Sequence, residues 1–286
     1  MSIQMDFTGK RVWVTGAARG IGEQIARHFL TQGAEVVGFD REFANPDLPY
    51  PCVTLDISRP EQVEAVCRQQ LAENPRLDVL VNAAGILRMG NTEDLSVDDW
   101  HQCINVNASG AFYLFRAVLP HFKAQRSGAI VSIGSNAAHV PRAQMAAYCA
   151  SKAALTSLNH CVGLEMAPFG VRCNLVSPGS TDTPMQRGMW QTDDAQQRTI
   201  AGFPEMFKLG IPLGKIARPD EIANAVLFLA SDLASHITMQ DIVIDGGATL
   251  AAGVRPAGGA AGAARPPPPA AAPPARSPDR WAIRFG

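Results

Sequence analysis

The sequence predicts an α/β fold in which helices cover both faces of one doubly wound parallel sheet, in a single domain. Three observations carry that prediction. Short runs rich in Val, Ile and Leu alternate with stretches of helical pattern along the chain. The runs are nearly continuous in apolar residues, which implies strands buried on both faces. A glycine-rich turn follows the first run, where an open parallel sheet places a ligand.

In order, the first strand is Arg11–Thr15 (RVWVT), which ends in the glycine turn and leads to a helix over Ile21–Leu30. Glu35–Asp40 (EVVGFD), Cys52–Leu55 and Asp78–Asn82 (DVLVN) read as the next strands, with a helix over Pro60–Glu73. Helices over Val97–Phe122 and Ala147–Ala167 bracket the strand Ala129–Gly134 (AIVSIG). Val171–Val176 (VRCNLV), a helix over Pro219–Ser231 and Asp241–Ile244 (DIVI) close the set. Alternation of this kind requires right-handed crossovers. Thr183–Leu213 breaks the rhythm and carries Met, Trp and Phe at helix-like intervals. It reads either as a lid over a site or as an ordinary surface insertion.

Composition agrees with one globular body over residues 5–253. Of 286 residues, 47% are hydrophobic and 18% charged, enough to bury a sizeable core. No apolar run approaches roughly 18 residues, so a membrane span is not expected. Met1–Lys10 lacks the apolar centre of a secretory signal. The six cysteines form no C-x-x-C pair, which argues against zinc or a disulfide scaffold and for reduced thiols in the cytoplasm. Residues 254–286 are dominated by Ala, Pro, Gly and Arg, a composition expected to stay disordered, although the final WAIRFG offers a Trp and a Phe that could dock. That tail has five Arg and one Asp, net +4, so the net charge of −1 leaves −5 on the body. A mildly acidic body carries no electrostatic footprint for nucleic acid.

The turn Thr15-Gly16-Ala17-Ala18-Arg19-Gly20-Ile21-Gly22 follows a strand and opens a helix. Glycines there let backbone approach a pyrophosphate, and the helix N-terminus presents free N–H groups to it. Asp40, at the end of the second strand, is placed to accept hydrogen bonds from ribose hydroxyls and to repel a 2′-phosphate, which favours NAD over NADP. Arg19 and Arg41 cut the other way, since either guanidinium could reach a phosphate. Tyr148 and Lys152 stand four apart on a helix and share a face. A neighbouring ammonium stabilises a phenolate and is expected to lower the tyrosine pKa from its usual value of about 10. Ser135 lies just after a strand, on the ligand side of such a sheet.

Taken together, TGAARGIG at 15–22, NAAG at 82–85, Ser135, YCASK at 148–152 and SPG at 177–179 resemble the short-chain dehydrogenase/reductase family, over about Phe7 to Leu250. The resemblance implies a seven-stranded Rossmann-like sheet. It implies Tyr148 as acid/base, Lys152 as its partner and nicotinamide-ribose ligand, Ser135 as the hydroxyl binder and Asn107 as holder of a water in a proton relay. It further implies cofactor-lining roles for Gly16, Gly20, Ile21, Gly22, Asp56, Asn82, Ala83, Gly85, Pro178, Gly179 and Thr183, with Arg19 more typical of NADP-using members. Homotetramers built through the long helices Val97–Phe122 and Ala147–Ala167 are a further implication.

Within that family, NAAGILRMG (82–90), SPGSTDTPMQR (177–187) and residues 207–247 resemble the 2,3-dihydro-2,3-dihydroxybenzoate dehydrogenases, which make 2,3-dihydroxybenzoate for catechol siderophores such as enterobactin. The Pro-rich tail departs from that pattern. The resemblance implies NAD-dependent oxidation of a carboxylated cyclohexadiene diol. Arg142, six residues before Tyr148, is the candidate partner for the carboxylate, with Arg88 and Arg187 as competitors. Met89, Met145, Met185 and Met189 could line a ring pocket or pack the core, and Trp190 could cover the substrate. His139 and Cys149 read as structural. Two alternatives stay open: an NAD(P)H-dependent ketone reductase, and a non-catalytic nucleotide sensor of the same fold.

Overall fold

The structure, a computed structural model, describes residues 5–250. The segment expected to be disordered, 254–286, lies outside the described residues. Seven strands form one sheet: β1 (Arg11–Thr15), β2 (Glu35–Asp40), β3 (Cys52–Thr54), β4 (Val79–Asn82), β5 (Gly128–Ile133), β6 (Val171–Pro178) and β7 (Asp241–Ile244). Their order is β3-β2-β1-β4-β5-β6-β7, and every neighbouring pair is parallel. The chain winds outward from β1 to β3, then returns to β4 on the other side of β1. This reversal of direction about β1 places a crevice at the carboxyl ends of the strands.

The helices are α1 (Gly20–Thr31), α2 (Pro60–Glu73), α3 (Val97–Ile104), α4 (Gly110–Gln125), α5 (Ala146–Met166), α6 (Pro184–Arg187), α7 (Ala195–Ala201) and α8 (Pro219–Ala230). The strand period of two splits the core into two layers. Val12 and Val14 of β1 face one layer with Ile25 and Phe29 of α1 and Val226 of α8. Trp13 between them faces the other, with Leu114 and Phe115 of α4 and Leu155 of α5. Each of these side chains is essentially fully buried. At about 25 cal/mol per Å² of apolar surface, this double-sided burial is the main force holding the sheet against its helices. No helix among the described residues is long and apolar enough to cross a membrane.

One expected element differs. The helix read as continuous over Val97–Phe122 is interrupted by a π turn, Asn105–Ser109, between α3 and α4. A wider turn of this kind rotates one side chain out of the regular helical register, and it is common at functional sites. Here the residue so displaced is Asn107, and its hydrogen bonds, described below, account for the interruption.

Candidate active site

A cleft of about 630 Å³ opens at the carboxyl ends of the central strands. A second hollow of about 560 Å³ sits at the opposite strand ends, beside Lys10, Asp78 and Val171, and contains none of the candidate residues.

The glycine turn forms one end of the cleft. Gly16 has φ 70°, and a Cβ there would stand 2.7 Å from the amide nitrogen of Ala84. The loops after β1 and β4 therefore touch backbone to backbone. Thr15 fastens the same contact, its Oγ1 accepting from the N–H groups of Ala83 and Ala84 at 3.2 and 3.3 Å. At Gly22 a Cβ would fall 2.1 Å from the Gly16 carbonyl oxygen, so α1 can start this close to the turn only with glycine. The N-cap of α1 is Arg19, whose side chain makes no capping bond, so the first N–H groups of the helix open toward the cleft. Asp40 accepts from the Ala18 N–H at 3.0 Å and the Arg41 N–H at 2.8 Å, which fixes its carboxylate beside the turn. Backbone donors, an open helix N-terminus and a carboxylate on the neighbouring strand fit a dinucleotide.

The other end is built by the loop after β5 and by α5. Lys152 is 4% exposed, and its Nζ donates to the Ile133 carbonyl at 2.8 Å. Burial lowers its amine to about 8. Its Nζ lies 5.8 Å from the centre of the Tyr148 ring. Burial pushes the Tyr148 phenol up to about 12, and the Ser135 hydroxyl pulls in the opposite direction. The sequence led to the expectation of a lowered phenol pKa. Burial outweighs the pull of Ser135, and the Lys152 ammonium is itself buried and bonded to the Ile133 carbonyl. Ser135 Oγ accepts from the Ala137 N–H at 3.1 Å, which fixes the hydroxyl beside Tyr148.

Asn107 is 1% exposed and stands behind the cleft. Its Oδ1 accepts from the Ile86 N–H at 2.8 Å, and its Nδ2 donates to the Ile86 carbonyl and to Ser151 Oγ, each at 2.9 Å. The π turn thus ties the loop after β4 to the helix that carries Tyr148 and Lys152.

Most predicted positions meet here. Gly16, Arg19, Gly20, Ile21, Gly22, Asp40, Arg41, Asp56, Ala83, Gly85, Ser135, Arg142, Tyr148, Lys152, Pro178, Gly179 and Thr183 all line the cleft. Asn82 is buried beneath it and accepts from Thr15 Oγ1 at 3.3 Å. Arg142 lines the cleft, and burial lowers its guanidinium. Its two competitors do not reach the cleft: Arg88 pairs with Asp99 at 2.9 Å and Arg187 with Asp182 at 2.6 Å. His139 bonds Asp241 at 2.9 Å outside the cleft, and Cys149 is likewise not in its wall. The segment Thr183–Leu213 folds over the mouth, and Met185, Met189 and Trp190 line it together with Met89 and Met145. Sequence reading gave Thr15 no role of its own and missed Arg198, Phe203 and Lys208. The last three lie in that same segment, whose break in rhythm was the available signal.

Comparison with known proteins agrees with this geometry. A protein-family model described as Enoyl-(Acyl carrier protein) reductase matches residues 16–249. The chain is 61% identical over 248 residues to 2,3-dihydro-2,3-dihydroxybenzoate dehydrogenase of Escherichia coli (strain K12), covering 87% of this chain and 100% of that protein. It is 42% identical to the protein of the same name from Bacillus subtilis (strain 168), over 85% of this chain and 97% of that one. Among solved structures, 3-ketoacyl-(acyl-carrier-protein) reductase from Brucella melitensis complexed with NADH superposes with a TM-score of 0.75 at 29% identity, covering 86% of this chain and 100% of that one.

Proposed function

The chain belongs to the short-chain dehydrogenase/reductase family, and on that premise we propose that it oxidises 2,3-dihydro-2,3-dihydroxybenzoate to 2,3-dihydroxybenzoate with NAD, the catechol unit of siderophores. One observation carries the reading. A Ser–Tyr–Lys group able to handle a hydroxyl proton shares a cleft with Arg142, which has no carboxylate within 4 Å among the described residues. The likeness to the E. coli and B. subtilis enzymes narrows the carboxylated alcohol to the dihydrodiol.

When bound, NAD supplies the hydride acceptor. The protein's own residues do the rest. The Ser135 hydroxyl and Tyr148 Oη hold the ring hydroxyl, and Tyr148 Oη takes its proton as the same carbon gives up hydride. The Lys152 ammonium, 5.8 Å from the centre of the ring, favours the phenolate by charge attraction. Asp40 selects NAD, because its carboxylate would repel a 2′-phosphate. The ketone so formed tautomerises to an aromatic catechol, which makes the oxidation downhill.

A homotetramer formed through α4 and α5 is part of the same reading, supported by Phe112 and Leu164, which stand 48% and 68% exposed on those helices. Free cysteines at all six positions fit a reducing cytoplasm. The experiment is incubation of the full chain with NAD and the dihydrodiol, following absorbance of NADH and formation of the catechol. Both should appear together. Silence there, with NADPH-dependent reduction of ketones, would replace this reading with the ketone reductase.

A further inference from the structure

We propose that Lys208 and Arg142 form a two-point clamp for the substrate carboxylate, one cation from the loop before α5 and the other from the segment that follows β6. The proposal rests on the reading of a carboxylated ring alcohol and names a second residue that recognises it.

The charge inventory of the cleft points to the clamp. Its lining acids are Asp40 and Asp56, both at the glycine-turn end. The opposite end presents Arg142, Arg198 and Lys208, and no Asp or Glu lines it. The partly buried Arg172 donates to the carbonyls of Leu229, Ala230 and Ser231, whereas Arg27, Arg76, Arg88, Arg187, Lys215 and Arg218 each have a carboxylate within 4 Å. Arg142 and Lys208 have none among the described residues. Asp245 acts on Arg142 at longer range, but its oxygens are already occupied by the N–H groups of Gly247 and Thr249, at 2.9 and 2.7 Å, and by Asn136.

Arg142 and Lys208 both line this cleft. Burial, and then repulsion from Arg142, lowers the Lys208 amine. Two partly desolvated cations facing one cleft are unfavourable when no anion stands between them. A carboxylate placed there removes the repulsion and satisfies both. Such an arrangement favours the bound state specifically, because the free protein bears the cost alone.

Lys208 is held in place by backbone structure. The Phe203 N–H donates to the Lys208 carbonyl at 2.7 Å, and the Lys208 N–H donates back at 3.1 Å. The Phe203 ring, also in the cleft wall, has its centre 5.5 Å from Nζ. The backbone that carries Lys208 therefore needs little ordering on binding. Arg198 is exposed to solvent, so it contributes attraction at a distance.

The test uses Lys208→Met and Lys208→Arg in the full chain saturated with NAD. Affinity is read by calorimetry for 2,3-dihydroxybenzoate and for catechol, which lacks the carboxylate. Lys208→Met is expected to weaken the carboxylated ligand about tenfold or more and to leave catechol unchanged, with Lys208→Arg recovering most of the loss. The same variant should raise KM for the dihydrodiol with little change in kcat. Equal weakening of both ligands, or of neither, overturns the clamp. Failure of the wild-type protein to turn over the dihydrodiol is a separate result, which removes the activity. The clamp is then decided by salicylate against phenol in the same variants, and loss confined to salicylate is the outcome that upholds it.

Discussion

Replacing Lys152 with methionine should make the protein more stable while abolishing its activity. Burial holds the Lys152 amine at about 8, against about 10.4 for a free lysine side chain. The unfolded chain therefore binds this proton more tightly than the folded one, and charging the amine opposes folding below pH 8. The difference is worth about 3 kcal/mol at neutral pH. Methionine has a similar length and no charge. It forfeits the Nζ bond to the Ile133 carbonyl, which gives back about 1 kcal/mol. A net gain of about 2 kcal/mol raises the midpoint of unfolding by about 4–8 °C for a domain of this size. The advantage should fade as pH climbs from 8 toward 10.4, where the wild-type amine loses its proton in both states. Scanning calorimetry of both proteins at pH 7 and pH 10 reads this directly. A Lys152→Met variant that melts lower than wild type at pH 7, or an offset equal at the two pH values, would mean that the buried charge does not oppose folding.

Three further outcomes are expected. Asn107→Ala removes three hydrogen bonds and strands the Ile86 N–H, so differential scanning fluorimetry should show a loss of about 3–10 °C, accompanied by lower kcat because the loop after β4 loses its tie to α5. Gly22→Ala forces a Cβ against the Gly16 carbonyl and should weaken NAD binding, measured by titration, by about tenfold or more. Asp40→Ser removes the charge that repels a 2′-phosphate and should raise kcat/KM for NADP relative to NAD by about tenfold or more in steady-state assays.

Much of this molecule was legible from residue order because the relevant signals are local. Val12, Trp13 and Val14 announce a strand buried on both faces, and the structure divides them between two core layers as a period of two requires. Tyr148 and Lys152 share a helical face whatever surrounds them. The glycine turn declares itself through residues that tolerate no Cβ. What escaped depends on contacts distant in sequence. The π turn at Asn105–Ser109 has no composition of its own to mark it, since it follows from Asn107 gripping Ile86 and Ser151. The sign of the Tyr148 shift depends on how deeply the ring and its ammonium are desolvated together, which spacing on a helix does not reveal. Lys208 entered the cleft unannounced because its loop folds back across the mouth through the pairing of Phe203 with Lys208.

Tyr148 Oη takes the proton of a ring hydroxyl in this mechanism, and Tyr148→Phe tests that step with the least disturbance of shape. NADH formation from the dihydrodiol should fall by about 100- to 10,000-fold relative to wild type, with the melting temperature preserved. A phenylalanine variant that keeps turnover within tenfold of wild type would contradict it.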